Sequence, residues 1–187
     1  MATTAPATNT WQIDPVHTTV EFAVTHMPFS TFRGRFRDVG GTITLDEASP
    51  TRSAVTATIK TAGIDVMGER FQSVLQGEDF FDTARWPVMT FESSRVEQVD
   101  GTTWHVTGAL TIRDVTREVT LVTRYGGQGK HPVSGRTLAG FHAETEIDRT
   151  DFALRWNRLL ETGAPYLGTH VRITLDIEAV KQEAAPS

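Results

Sequence analysis

Two groups of carboxylates are spaced as acid–base catalysis would want them. Asp79 and Asp82 bracket Phe80–Phe81 in the run LQGEDFFDTARWPVMTF, and Asp148, Arg149 and Asp151 stand together in IDRTDF. Paired carboxylates do acid–base work when one of them is desolvated. The same residues near turns cap helices or accept from backbone amides. DRTDF also offers an internal Arg–carboxylate pair, which is commonly structural. An enzyme acting on an apolar substrate through Asp79, Asp151, Arg149 and His26 is therefore one reading. It lacks a nucleophile, because the chain has no G-x-S-x-G elbow and no cysteine. The absence of cysteine also excludes disulfides and thiolate metal sites.

The six histidines, His17, His26, His105, His131, His142 and His170, form neither H-x-H nor HExxH. No metal and no cofactor are expected from them. His26, at the end of a strand-like run and beside Met27, suits the mouth of a cavity. GGQGKH fails the phosphate-loop spacing and has His131 where Ser or Thr is required, so it reads as a Gly/Pro loop running on through HPVSG. FRGRFR loosely resembles an RNA-binding sheet motif. On a strand, however, Phe32, Gly34 and Phe36 face one way and Arg33, Arg35 and Arg37 the other. An RNA platform needs aromatics and basic residues on one surface. The formal net charge of −5 points the same way, against nucleic acid.

The elements that must position these residues are strands. The chain has 187 residues, 39% apolar and 22% charged, which suits one soluble domain with a core or an interior. Period-2 alternation recurs eight times. The first strand, Val16 to His26, puts Val16, Val20, Phe22 and Val24 on one face. The second runs from FRGRFR into GTITL, bent at Gly40–Gly41. The third, SAVTATIKTAGI, shows Val55, Ala57 and Ile59 on one side. The fourth and fifth flank Asp100–Gly101, a strong hairpin signal. REVTLVTRY, RTLAGFHAETEID and HVRITLDIEAV complete the set, the last with Val171, Ile173, Leu175 and Ile177 inward. A short helix is expected between strands three and four, where Phe71, Val74 and Leu75 fall at i, i+3 and i+4. Thr150 to Thr169 is a long connection rich in apolar residues, expected to pack over one end. Eight antiparallel strands can close and leave no edge. A closed ring of eight is filled by side chains or holds one small ligand. A two-sheet sandwich would alternate similarly.

The N-terminal MATTAPATNT has no basic or apolar leader region, and no apolar run is long enough to span a bilayer. The expectation is a cytoplasmic protein with a disordered tail over 1–10, one domain over 11–180 and a C-terminal tail over 181–187. Of the 18 basic residues 15 are Arg, scattered without a polybasic run for an anionic membrane.

WQIDPVHTTVEFAVTHM, FRGRF, LQGEDFFDTARWPVMTF, GALTIRDVTREVTL and EIDRTDFALRWN…HVRITLDIEAV resemble, in order, the blocks of the YceI-like polyisoprenoid-binding family. They span Trp11 to Val180. The resemblance implies an all-β, lipocalin-like eight-stranded antiparallel barrel around a long apolar pore. It implies a non-catalytic binding protein for an isoprenoid lipid or isoprenoid quinone, and a homodimer. Two positions depart from the family pattern. Ala153 stands where DFG is usual, so a positive φ there would be strained. Asp114 stands where many members have Gly in a TIRGVT turn. On this reading Phe71, Val74, Leu75, Phe80, Phe81 and Trp86 form a lid whose turn the neighbouring acids hold. The apolar tail of the ligand is assigned to Phe22, Val24, Phe36, Ile43, Val55, Ile59, Phe80, Phe81, Met89, Phe91, Leu110, Leu121 and Phe141. Its polar head is assigned to His26, Asp79, Arg149 and Asp151. A filled barrel serving a structural role is a further alternative.

Overall fold

A computed structural model describes residues 8–46 and 48–182. The eight expected strands are present, and the second and third are each broken in two. The first wall strand is longer than expected, because β1 (Thr8–Ile13), not read as strand, precedes β2 (Thr19–His26); β3 (Ser30–Phe36) and β4 (Val39–Asp46) make the second. β5 (Ala54–Lys60) and β6 (Ile64–Val66) make the third. β7 (Val88–Gln98), β8 (Thr103–Ile112), β9 (Val115–Lys130), β10 (Thr137–Asp148) and β11 (Leu167–Lys181) are continuous. The ladder runs β1–β4–β5–β7–β8–β9–β10–β11, and β11 pairs back to β1. This closes an eight-stranded antiparallel, lipocalin-like barrel with no free edge in the ring. β2, β3 and β6 carry the wall further at one end. α1 (Glu69–Gln76) is the one α-helix among the described residues, and it lies between the third and fourth wall strands.

Each break has a local cause. Between β1 and β2, Pro15 has no N–H to give a ladder. There the Asp14 carboxylate accepts from the Val16 amide (2.8 Å), and the Thr18 hydroxyl exchanges hydrogen bonds with the Glu178 backbone (3.3 Å). Val16, expected to face inward, is 81% exposed because this excursion leaves the wall. The second strand bends at Arg37–Asp38, not at Gly40–Gly41. Arg37 donates to the Gly63 carbonyl and Lys60 to that of Asp38, so the second and third wall strands bend at one level. Gly41 instead permits a close approach of two strands. β4 passes so near β5 that a Cβ there would sit 2.1 Å from the Thr56 carbonyl oxygen.

One connection and both expected tails are shorter than the sequence suggests. β9 runs on to Lys130, its Gly127–Lys130 pairing with Thr137–Gly140 after a one-residue slip at Gly126. The loop is confined to 131–136, where the His131 ring accepts from the amides of Val133 and Ser134. Residues 8–10, read as tail, pair with Leu45, Thr44 and Asp46 of β4, and Lys181 pairs with Trp11. The rest of both expected tails, 1–7 and 183–187, lies outside the described residues. No helix among the described residues is long and apolar enough to cross a membrane.

Candidate apolar ligand site

Period-2 alternation aims every second wall residue inward, and most of those residues are bulky and apolar. They do not meet at the centre. They surround a cavity of about 750 Å³ that runs from mid-barrel to the end where β2 meets β3 and β10 leads into β11. Phe22 and Val24 of β2, Phe36 of β3, Ile59 of β5, Met89 and Phe91 of β7 and Leu110 of β8 line it, as do Val171, Ile173 and Leu175 of β11. Gly34 leaves room for the Phe22 ring, since a Cβ at Gly34 would lie 2.4 Å from its tip. Arg33, Arg35 and Arg37 stay outside, and Arg35 and Arg37 both hold Asp65 (2.9 and 2.7 Å). Those two bonds, Arg37's first, keep the Asp65 carboxyl below its ordinary range.

β6 does not pair with β7. The last tie between third and fourth strands is Thr61, whose amide and hydroxyl donate to the carbonyls of Pro87 (3.0 Å) and Trp86 (2.7 Å). Beyond it α1 and residues 77–87 fill the gap. Phe80 and Phe81 are turned inward from this segment, Phe81 edge-on to Phe36 at 5.4 Å and Phe80 beside Trp156 at 5.5 Å. Phe71 and Val74 of α1 line the cavity and remain about half exposed, which marks the mouth. Trp86, assigned to the lid, does not line the cavity. The expected role of the acids is also corrected. The turn is held by the Arg113 guanidinium, which donates to the carbonyls of Glu78 (3.3 Å) and Phe80 (3.2 Å). Its own backbone adds bonds from Phe81 to Leu75 and from Trp86 to Asp82.

The long connection after β10 covers the same end. Asp148 caps a short 3₁₀ turn over Arg149–Phe152 by accepting from the amide and hydroxyl of Thr150 (2.8 and 2.7 Å). These bonds lower the Asp148 pKa. Arg149 turns inward and is 4% exposed. Its Nε donates to the Gly168 carbonyl (2.7 Å), Nη1 to those of Leu154 and Trp156, and Nη2 to that of Leu167 (3.4 Å). One side chain thus gathers both ends of the loop, in place of the Arg–carboxylate pair expected within DRTDF. Burial pushes the guanidinium pKa down, with Asp148 opposing. An arginine keeps its charge under such a shift. Asp151 is exposed on the outer side of the turn and lines no cavity, so it has no part in this mouth. Ala153 takes φ +60° and ψ +16°, the left-handed conformation expected to strain an alanine there. At the β8–β9 turn the positive φ falls on Arg113 (+57°) rather than on Asp114.

At the mouth His26 lies edge-on to Tyr166 (4.7 Å) and within 3.2 Å of the Ser30 hydroxyl. Tyr166 in turn meets Trp156 (6.1 Å). Arg70, Arg158 and Arg149 also line the cavity, against the single carboxylate of Asp79. A chain of net charge −5 therefore gathers three guanidiniums and one acid at this site. Sequence reasoning missed Arg70, Leu154, Trp156, Arg158 and Tyr166 as lining residues. Trp156 and Tyr166 stood out as bulky residues in a long connection, but a loop has no periodicity to show which side chains turn inward. Ile43 and Phe141, assigned to the same tail, instead line a second cavity of about 350 Å³ toward the other barrel end. Val55 and Leu121 border both.

Comparison with known proteins follows the same outline. Residues 11–179 match the family model of the YceI-like domain. Protein YceI of Escherichia coli O157:H7 is 35% identical over 167 residues, covering 89% of this chain and 83% of the relative. The crystal structure of Burkholderia cenocepacia BcnA superposes with a TM-score of 0.77 at 22% identity, covering 89% of this chain and 98% of the other. A polyisoprenoid-binding domain from Saccharophagus degradans superposes with a TM-score of 0.66 at 14% identity, covering 92% and 98%. At these identities the two structures speak to the fold alone.

Proposed function

The chain belongs to the YceI-like family, and from that premise we propose that it is a non-catalytic carrier of a long apolar ligand of the isoprenoid type, lodged in the larger cavity. The observation that carries this reading is the closed barrel around about 750 Å³ of space walled by Phe, Val, Ile, Leu and Met. A prenyl chain has no hydrogen-bonding groups, so its affinity must come from apolar area. Each buried methylene contributes about 0.8 kcal/mol, and a five-carbon unit about 3–4 kcal/mol gross. Ordering the chain and desolvating the head offset part of this. Such a wall selects for greasiness and girth more than for length.

Selectivity for the head group falls to the mouth. All three guanidinium nitrogens of Arg149 serve the loop, so Arg70 and Arg158, both exposed, are the cations left for a ligand. An electron-rich head, such as the carbonyl pair of an isoprenoid quinone, fits this excess of positive charge. Asp79 is the only carboxylate lining the cavity, and no serine lines it, which favours binding over the enzymatic alternative.

Mass spectrometry of gently purified protein, before and after solvent extraction, tests the proposal. The expected result is a one-to-one complex that loses the mass of an isoprenoid lipid on extraction. An unliganded protein that also refuses added prenyl quinone, or one that carries only fatty-acyl lipids, would overturn it.

A further inference from the structure

The smaller cavity lies in tandem with the larger along the barrel axis. It occupies the end where β4 leads to a short 3₁₀ turn (Pro50–Arg52) and β9 runs to Lys130. Its volume, about 350 Å³, is less than half that of the first. Val55, Leu121 and Ile177, from three strands spaced around the ring, border both. The space reaches solvent on its own side, where Tyr125 and Gln128 are exposed.

We propose that this space is a second, independent binding site, for a small, neutral, ring-bearing molecule. The size is ample, because a dry apolar cavity of about 150 Å³ suffices to hold benzene. Three aromatic side chains set the shape: Trp104, Tyr125 and Phe141, the last two with ring centroids 5.4 Å apart. Offset or edge-on contact with such rings favours a flat partner. Charge is excluded by what the walls offer. Asp46 is the one ionisable carboxylate there, and the chain already uses it. It accepts from the amides of Ala48 (3.1 Å) and Ser49 (2.7 Å) and from Arg52 Nε (2.8 Å). No charged group is left to balance an ionic ligand, and burying an unpaired charge is costly. Gln128, at the opening, can bind one hydroxyl or carbonyl.

The test uses 1-naphthol as probe on full-length protein whose larger cavity has been loaded with geranylgeraniol. Fluorescence and calorimetric titration are expected to show one equivalent of naphthol bound, with the affinity found in unloaded protein. Thr123→Trp, which narrows the space from β9, should weaken naphthol at least tenfold and leave prenyl loading unchanged, since Thr123 borders only the smaller cavity. Val96→Phe does the same from β7 and stands in if Thr123→Trp does not fold. Loss of naphthol binding on loading would show one continuous channel and overturn the proposal. So would wild-type naphthol affinity in the folded variants. If the protein takes up no geranylgeraniol, the carrier reading fails, and titration of the unloaded variants still decides the second site.

Discussion

Replacing Arg149 by methionine removes one side chain and strands four carbonyls, those of Leu154, Trp156, Leu167 and Gly168. Buried acceptors left without donors cost about 1–3 kcal/mol each, shared among those that water cannot reach. Arg149→Met should therefore destabilise by at least about 3 kcal/mol in urea unfolding, and lysine should not rescue it because a point charge cannot serve a fork of carbonyls. Ala153→Gly should do the reverse and stabilise by about 0.5–1 kcal/mol, because left-handed backbone costs an L side chain that much or more. His142, on the outer face, bonds Asp176 (2.7 Å) and Glu144 (3.3 Å), and these acids, Asp176 first, raise its pKa. A raised pKa stabilises the fold while the ring is protonated. That contribution is complete below the unfolded value of about 6.5 and fades as pH rises through the folded value. His142→Gln should erase this slope from stability measured between acid and mildly alkaline pH. The effect should stay below about 1 kcal/mol, since the ring is well exposed and the pairs are screened.

At the scale of elements, the wall between β6 and β7 is fastened by side chains and by α1 with residues 77–87, not by a ladder. Hydrogen exchange should reveal this. Amides of 69–87 are expected to exchange well before those of β7, β8 and β9, and to slow when a ligand fills the cavity behind them. A uniform exchange rate around the barrel would contradict the seam. The sequence showed the eight wall strands and the helix, because alternation and i, i+3, i+4 spacing are local signals. It hid the breaks at 37–38 and 61–63, where what bends one strand is the bend of its neighbour, and the break at 14–18, where the Thr18 hydroxyl is met by the distant Glu178 backbone. It also hid β1. TNTWQI does alternate, but its polar start is tail-like until the partners in β4 and β11 are known. The same limit applies to the site. Facing was legible for Phe22, Phe36 and Met89, each on a regular strand. Ile43 and Phe141 were legible as inward, but not as belonging to the other cavity. Asp151 was misplaced because residues two apart, such as Arg149 and Asp151, share a face on a strand but not on a 3₁₀ turn.

For the molecule as a whole, an empty interior is a stability debt that ligand repays. A bound ligand at a hundredfold excess over its Kd adds about 2.7 kcal/mol. For a domain of this size that should raise Tm by about 5–10 °C. Extracted protein should melt lower by that margin and recover on adding prenyl quinone, as differential scanning calorimetry would show. The same order of shift with a fatty acid of equal length would place the selectivity elsewhere than in the mouth.

β11 alone joins β10 on one side to both β1 and β2 on the other. A ribosome delivers it after every other wall strand, so the nascent chain must wait as an open sheet with β1 and β10 unmatched. Until Lys181 clears the exit tunnel, those two margins are adhesive to any passing strand. Nascent chains halted before Leu167 should thus engage chaperones, whereas chains released just past Lys181 should not.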